Sequence, residues 1–246
     1  MASIMMILPI YYQDHNVLKT LKSLLKLEVP KGTDIDLFFG VNGSTNRLNF
    51  IINKYVERLL EAGAFRTIKV INFGKNIGKG DAINKIYKEN KNSYDFLLSA
   101  DSDINYPNSD FLSVMIEAFY KAGPFGAIAA EQMGACCHYK ENYIKTNILG
   151  YTLRVYERNE GVAGGVLLIP VDVWERVGGY KTVANSVYGG DDAFFMRDCS
   201  MLSLKVPVLE NSKVYHPYSS NREYADWKKR SCIGSLEPEE QGGFIF

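Results

Sequence analysis

Two aspartates, Asp101 and Asp103, leave the apolar run Phe96-Leu97-Leu98 with a single serine, Ser102, between them. Carboxylates crowded at the end of a buried strand repel each other, and burying their charge is costly without a partner. A divalent cation bridging to a diphosphate relieves both problems, and hard oxygen ligands suit Mg²⁺ or Mn²⁺ rather than zinc. The competing reading is a solvated loop with Asp110 as a helix N-cap nearby. A second acidic pair, Asp191-Asp192, follows Tyr188-Gly189-Gly190 and precedes an amphipathic stretch, Ala193–Leu202. Carboxylates at a helix start are favoured by its dipole and can be simple caps. Alternatively, one of them is a general base held on a rigid element beside flexible glycines. His216, between Tyr215 and Pro217, is either a polar residue at a strand end or a third metal ligand. The second role requires the chain to fold back over the 101–103 pair.

The stretch from Phe73 to Asn84 carries Gly74, Gly78 and Gly80 with Lys75 and Lys79. Glycines there allow a close backbone approach to a ligand, and a helix N-terminus favours negative charge. It is not a P-loop. The gap between Gly74 and Gly78 is one residue short, and Gly80 stands where a metal-binding Ser or Thr belongs. Gly190-Asp191-Asp192 also matches the triplet in the palm of polynucleotide polymerases, but the chain is short for one and shows no basic groove. Residues 221–230 mix Arg222, Tyr224, Trp227, Lys228, Lys229 and Arg230, which reads as a solvated helix with one anchored tryptophan.

The elements that must position these groups alternate through the first half. Strands are expected at Ile4–Leu8, Ile35–Val41, Thr67–Phe73 and Asp95–Ala100, and helices at Asn16–Leu27 and from Asp81 to about Asn90. A further helix has Phe50, Ile51, Ile52, Tyr55, Val56, Leu59 and Leu60 as its apolar stripe. Such alternation argues for a mostly parallel, Rossmann-like sheet with helices on both faces, whose ligands bind beyond the carboxyl ends of the strands. Pro9-Ile10-Tyr11, Asn42-Gly43-Ser44, Gly74-Lys75-Asn76 and Asp101-Ser102-Asp103 all fall at those ends. The second half is less regular. Residues 134–161 show no clean period, Gly164–Ile169 reads as a buried strand, and Pro170 opens a short helix closed by Gly178-Gly179. A helix over Asp191–Leu202 and strands at Lys205–Leu209 and Lys213–Tyr215 follow.

The chain has 246 residues, 46% of them apolar, enough for a sizeable core in one domain over 1–246. Residues 1–103 form the half that holds the strand-end motifs, 104–234 the second half, and 235–246 a short tail that is mobile or folds over the site. Lys+Arg and Asp+Glu both number 28, so no global field recruits nucleic acid or an anionic membrane. No run of about 18 apolar residues occurs, so no integral membrane segment is expected. Cys136, Cys137, Cys199 and Cys232 lack metal-site spacing and read as reduced thiols of a cytoplasmic protein.

Taken in order, seven pieces resemble the inverting family-two glycosyltransferases of the GT-A fold. They are residues 7–14, 40–46, 76–84, 99–103, 164–180, 188–195 and 214–217, and the likeness runs from about Ile4 to His216. It implies a nucleoside-diphosphate sugar as donor, contacted by Pro9, Tyr11, Asn42, Gly78, Lys79, Asp101, Ser102 and Asp103. Pro9 and Tyr11 would flank the base, and Gly78 and Lys79 would lie against base or ribose. Asn42 stands where many relatives carry an aspartate that hydrogen-bonds uracil, a departure that weakens the case for a UDP-sugar although an amide can still make one such bond; a UDP-sugar is favoured with a GDP-sugar possible. The resemblance makes Asp192 the catalytic base beside Asp191, and Asp101, Asp103 and His216 the ligands of Mn²⁺ or Mg²⁺. The acceptor is a hydroxyl of a glycan, a lipid-linked saccharide, a protein, a small molecule or a modified nucleic acid, read by residues 134–161 and 218–246. Absence of a QxxRW-like motif argues against a processive membrane synthase. Two other classes compete. A nucleotidyltransferase would need a Gly-rich, Lys-bearing loop after the first strand, and residues 9–15 have none. A non-catalytic sugar-nucleotide or glycan-binding module would not need both acidic pairs.

Overall fold

The computed structural model describes residues 2–11, 14–43, 45–134, 142–182 and 190–217. β1 (Ala2–Ile10) sends Ile4, Met6 and Leu8 into one hydrophobic core and Met5 and Ile7 into another. Residues one apart on a strand point to opposite faces, so an unbroken apolar run marks a strand covered on both sides. On one face lie α1 (Asp14–Leu24), α2 (Asn46–Glu61) and α4 (Phe111–Ala122). On the other lie α3 (Lys79–Asn90), α5 (Val171–Val177) and α6 (Asp191–Met201).

β1 pairs in parallel with β2 (Thr33–Val41) and β4 (Phe96–Ala100), and β2 with β3 (Thr67–Asn72). This quarter-by-quarter agreement with the sequence covers the parallel half. Beyond β4 the sheet turns mixed: β8 (Val166–Pro170) runs antiparallel to β4 and to β5 (Ile128–Met133). β9 (Val208–Tyr215) is parallel to β5 and antiparallel to β7 (Tyr151–Tyr156), and β6 (Tyr143–Ile148) closes the edge beside β7. The order β3-β2-β1-β4-β8-β5-β9-β7-β6 makes one nine-stranded sheet. It is an α/β arrangement with its most regular part where the strand-end motifs lie.

Several local expectations are corrected. Residues 134–161, expected to be irregular, contain the β6–β7 hairpin. β6 is a mostly exposed edge strand and so lacks an alternating apolar signature. β9 is one strand, not two. Its interruption, Glu210-Asn211-Ser212, looked like a break because Glu210 pairs with the buried Arg154 and the buried Ser212 hydroxyl donates to the Phe111 carbonyl at 3.1 Å. In α2 the buried stripe is Leu48, Ile52, Tyr55 and Leu59, whereas Phe50 and Leu60 are exposed. Asp110 sits at the N-cap position of α4 but makes no side-chain capping bond. The expected acceptor-reading stretch 218–246, including the tail, and Cys136, Cys137 and Cys232 lie outside the described residues. Cys199 is a buried free thiol.

Candidate active site

β4 delivers the first acidic pair. Its last residue is Ala100, and the Asp101 amide donates to the Gly165 carbonyl at 2.8 Å, tying the loop to the start of β8. Ile104, fully buried, anchors the far side of the turn. Asn105 and Tyr215 then exchange backbone hydrogen bonds of 2.8 Å in both directions, and the His216 amide donates to the Met133 carbonyl at 2.8 Å. This bridge carries the end of β9 over the acidic loop, as a third ligand would require. The His216 Nε2 stands 3.2 Å from Asp103 Oδ1. One donor atom from each of Asp101, Asp103 and His216 can be chosen so that all lie within 4.8 Å of one another.

A cation already sits beside this group. Lys79, the first residue of α3, places Nζ 2.6 Å from Asp101 Oδ1 and donates to the Gly164 carbonyl at 3.1 Å. Burial works against its charge, but Asp101, then Tyr180, Asp191 and Asp192, outweigh that and hold its pKa well above the ordinary value. α3 can start here because Gly78 adopts φ 88°, a left-handed conformation that favours glycine. The Gly78 carbonyl accepts from Asn42 Nδ2 at 3.2 Å, which straps the end of β2 to the helix start. Asn42 is 2% exposed, and its Oδ1 has no hydrogen-bond partner among the described residues. A buried, unused acceptor is costly unless a ligand donates to it.

The second acidic pair opens α6. Asp191 is 7% exposed, with Oδ2 unpartnered among the described residues. Burial raises its pKa to about 6; Lys79 pulls it down, while Asp192 and Asp101 push it up. Asp192 is less buried, and its Oδ1 accepts from the Ala193 amide at 2.9 Å. Gly164 packs flat against Asp192: a Cβ built on Gly164 would overlap the Asp192 carboxylate. Thus Gly164 touches Asp192 on one side and Lys79 through its carbonyl, and Lys79 touches Asp101. The two acidic pairs share one neighbourhood.

Pro9, opposite Gly40, and Tyr11 just after β1 fall at the same carboxyl-end rim as Asn42 and Gly78. Ser102 is half-buried between the two aspartates. Three contributors were not singled out in the sequence. Gly164 and Tyr180 lie inside a stretch that carried the resemblance, and Asn105 follows the acidic loop. Tyr180 donates through Oη to Ser99 Oγ at 3.0 Å, while its backbone exchanges hydrogen bonds with the Asn84 side chain at 3.0 and 2.7 Å. Tyr180, an aromatic residue closing the stretch after Gly178-Gly179, could have been flagged; Gly164 has no side chain to flag it.

Two carboxylates and an imidazole on rigid strand ends fit an ion that accepts mixed oxygen and nitrogen donors and leaves positions open for a ligand. Asp101, Asp103 and His216 would hold it.

The sequence profile of Glycosyl transferase family 2 matches residues 5–166, well over half of the chain. The chain belongs to this family. No curated protein matches its sequence. Solved structures place the family-two chain in the GT-A fold. The mannosyltransferase PcManGT from Pyrobaculum calidifontis, in complex with GDP-Man and Mn²⁺, is 14% identical with a TM-score of 0.64, over 92% of this chain and 60% of that one. S. aureus TarS 1-349 with UDP-GlcNAc is 16% identical with a TM-score of 0.63, over 91% and 60%. GalNAc-T7 with UDP, GalNAc and Mn²⁺ is 12% identical with a TM-score of 0.65, over 88% and 44%. This chain therefore spans no more than about 60% of their lengths. Among the described residues no helix is long and apolar enough to cross a membrane.

Proposed function

We propose that this chain is a metal-dependent glycosyltransferase moving a sugar from a nucleoside-diphosphate sugar to an acceptor hydroxyl with inversion. The observation that carries the reading is the convergence of Asp101, Asp103 and His216 within 4.8 Å of one another, next to a second acidic pair. Bound Mn²⁺ or Mg²⁺ would supply charge neutralisation for the departing diphosphate. Lys79 adds a fixed positive charge beside Asp101 and keeps that carboxylate aimed at the same point. Asn42 Oδ1 offers a buried acceptor to a base N–H, which suits a UDP-sugar and leaves a GDP-sugar possible. Asp192, the more open of its pair, takes the proton from the acceptor hydroxyl as it attacks the anomeric carbon from the face opposite the leaving group. Asp191, buried against Lys79, holds the start of α6 and the local charge balance. A single displacement of this kind inverts the anomeric centre. Cytoplasmic residence belongs to the same proposal.

The deciding experiment titrates UDP and GDP into the protein with and without Mn²⁺. Wild-type protein binds one of them in a Mn²⁺-dependent manner, and Asp103→Ala loses that dependence. Nucleotide affinity unchanged by Asp103→Ala would remove the metal assignment. Product analysis separates the competing enzyme class: release of a nucleoside diphosphate supports glycosyl transfer, release of pyrophosphate supports nucleotidyl transfer.

A further inference from the structure

A cleft of about 650 Å³ opens between α1, α2 and residues 105–107, and four of its lining residues are cations: Lys19, Lys22, Lys26 and Arg58. Among the described residues no carboxylate lines it. Lys19 and Lys22 on α1, three residues apart, and Lys26 in the turn just after it are all exposed. None of the three makes an ion pair among the described residues. Arg58 lies over the Tyr55 ring at 4.8 Å, which fixes its guanidinium at the cleft wall. In a chain of zero net charge, four like charges around one concavity, with no counter-charge in its lining, repel one another. An anionic occupant turns that repulsion into attraction.

A second observation comes from the cleft's floor. Tyr106 lines it, is 5% exposed, and its Oη has no hydrogen-bond partner among the described residues. Its ring is held by stacking on Phe111 at 4.3 Å, and its amide donates to Ser23 Oγ at 3.3 Å. Burial, and then the charges of Asp101 and Asp103, push the phenol pKa above its usual range, so it remains a donor. The stacked ring makes the floor rigid, and the hydroxyl, buried beneath the cleft surface, adds no negative charge to it.

We propose that this cleft is a second anion site, separate from the 101/103/216 cluster, that takes a ligand carrying two or more linked phosphate groups. The volume falls within the range of small-molecule pockets. Several cations that are not arranged around one point suit a chain of phosphates better than a single one. The wall of the cleft continues directly from Asp103 through residues 105–107, so occupancy there and at the acidic loop can influence each other.

The test titrates inorganic tripolyphosphate into the full chain in EDTA, which keeps the divalent-ion site from contributing. Wild-type protein binds, with affinity falling as salt rises. The exposed triple variant Lys19→Gln, Lys22→Gln, Lys26→Gln weakens binding about tenfold or more, since hydrogen bonds to charged groups are the strong ones, and keeps Mn²⁺-dependent nucleotide binding. No binding in EDTA, or an affinity equal in wild type and triple variant, overturns the proposal. Binding that needs Mn²⁺ and disappears in Asp103→Ala also overturns it, because the phosphates then sit at the acidic loop. Inorganic phosphate and vesicles with anionic headgroups, run beside tripolyphosphate, distinguish a linked-phosphate ligand from a single phosphate or a lipid surface. Tighter binding of either comparator than of tripolyphosphate sinks the linked-phosphate assignment.

Discussion

Lys79 reaches Asp101 at 2.6 Å and feels the charges of Asp191 and Asp192, so it is a cation that both acidic pairs share. Two substitutions test this scale. Asp192→Asn lowers turnover by about 10²–10⁴-fold, the usual contribution of a positioned base, and leaves Mn²⁺-dependent nucleotide affinity unchanged; near wild-type turnover would assign the base elsewhere. Asp191→Asn behaves differently, because its folded-state pKa is raised to about 6 from 3.8. Ionising it opposes folding, a cost absent below the ordinary carboxylate range and complete above about pH 6. In metal-free protein the variant should therefore raise the melting temperature at pH 7.5, by an amount equivalent to about 2–3 kcal/mol, and the gain should vanish towards pH 4. A gain that persists at pH 4 would contradict the assignment. The aspartates were legible in the sequence because charge at the end of an apolar run is conspicuous. The use of Gly164 was not, since its role is the space it leaves for Asp192.

Elements set the precision of the site. β8 begins where Gly164 meets Asp192, so a methyl group added there must move the start of α6. Gly164→Ala should cut turnover by about 10²-fold, the effect of displacing a reacting group by about 1 Å, while nucleotide affinity changes far less. Equal losses in both would point to unfolding instead. At the opposite end of β2, Asp36 is 4% exposed and accepts from Arg66, Thr67 and Tyr94. Burial works against its charge, but those partners hold its pKa below 3.8. Its stabilising contribution is present above that value and is lost as the pH falls through the lowered folded-state pKa. Asp36→Ala leaves three donors without their acceptor and should cost about 2–4 kcal/mol in urea unfolding at pH 7, with no direct effect on catalysis. β1, β2 and β4 were readable because their central residues are apolar on both faces. β6 and β7 were not, and β9 was read as two pieces: β6 is mostly exposed, and Arg154 of β7 meets Glu131 of β5 and Glu210 of β9 in a charged cluster that erases the alternation on which strand recognition depends.

At the scale of the molecule, nine strands among the described residues share one sheet, and a ligand bound at its rim stabilises all of it. Saturating Mn²⁺ with the preferred nucleotide at about a hundredfold above Kd should add about 2.7 kcal/mol. Either component alone should add much less. The doubly covered first half and the order of its motifs could be read from sequence. The meeting of Asp103 with His216 was carried by the family resemblance and not by any local pattern, because it depends on a backbone pairing between the distant Asn105 and Tyr215. That pairing has a consequence for how the protein comes into being. β9, latest in the chain among the described strands, inserts between β5 and β7 rather than adding at an edge. Until it arrives, the β6–β7 hairpin has no strand to join it to the rest of the sheet and the imidazole has no place over the acids. Synthesis stopped before residue 208 should thus yield a chain able to assemble β1 to β4 yet unable to grip manganese. Ion affinity then serves as a readout of whether the last strand has gone home.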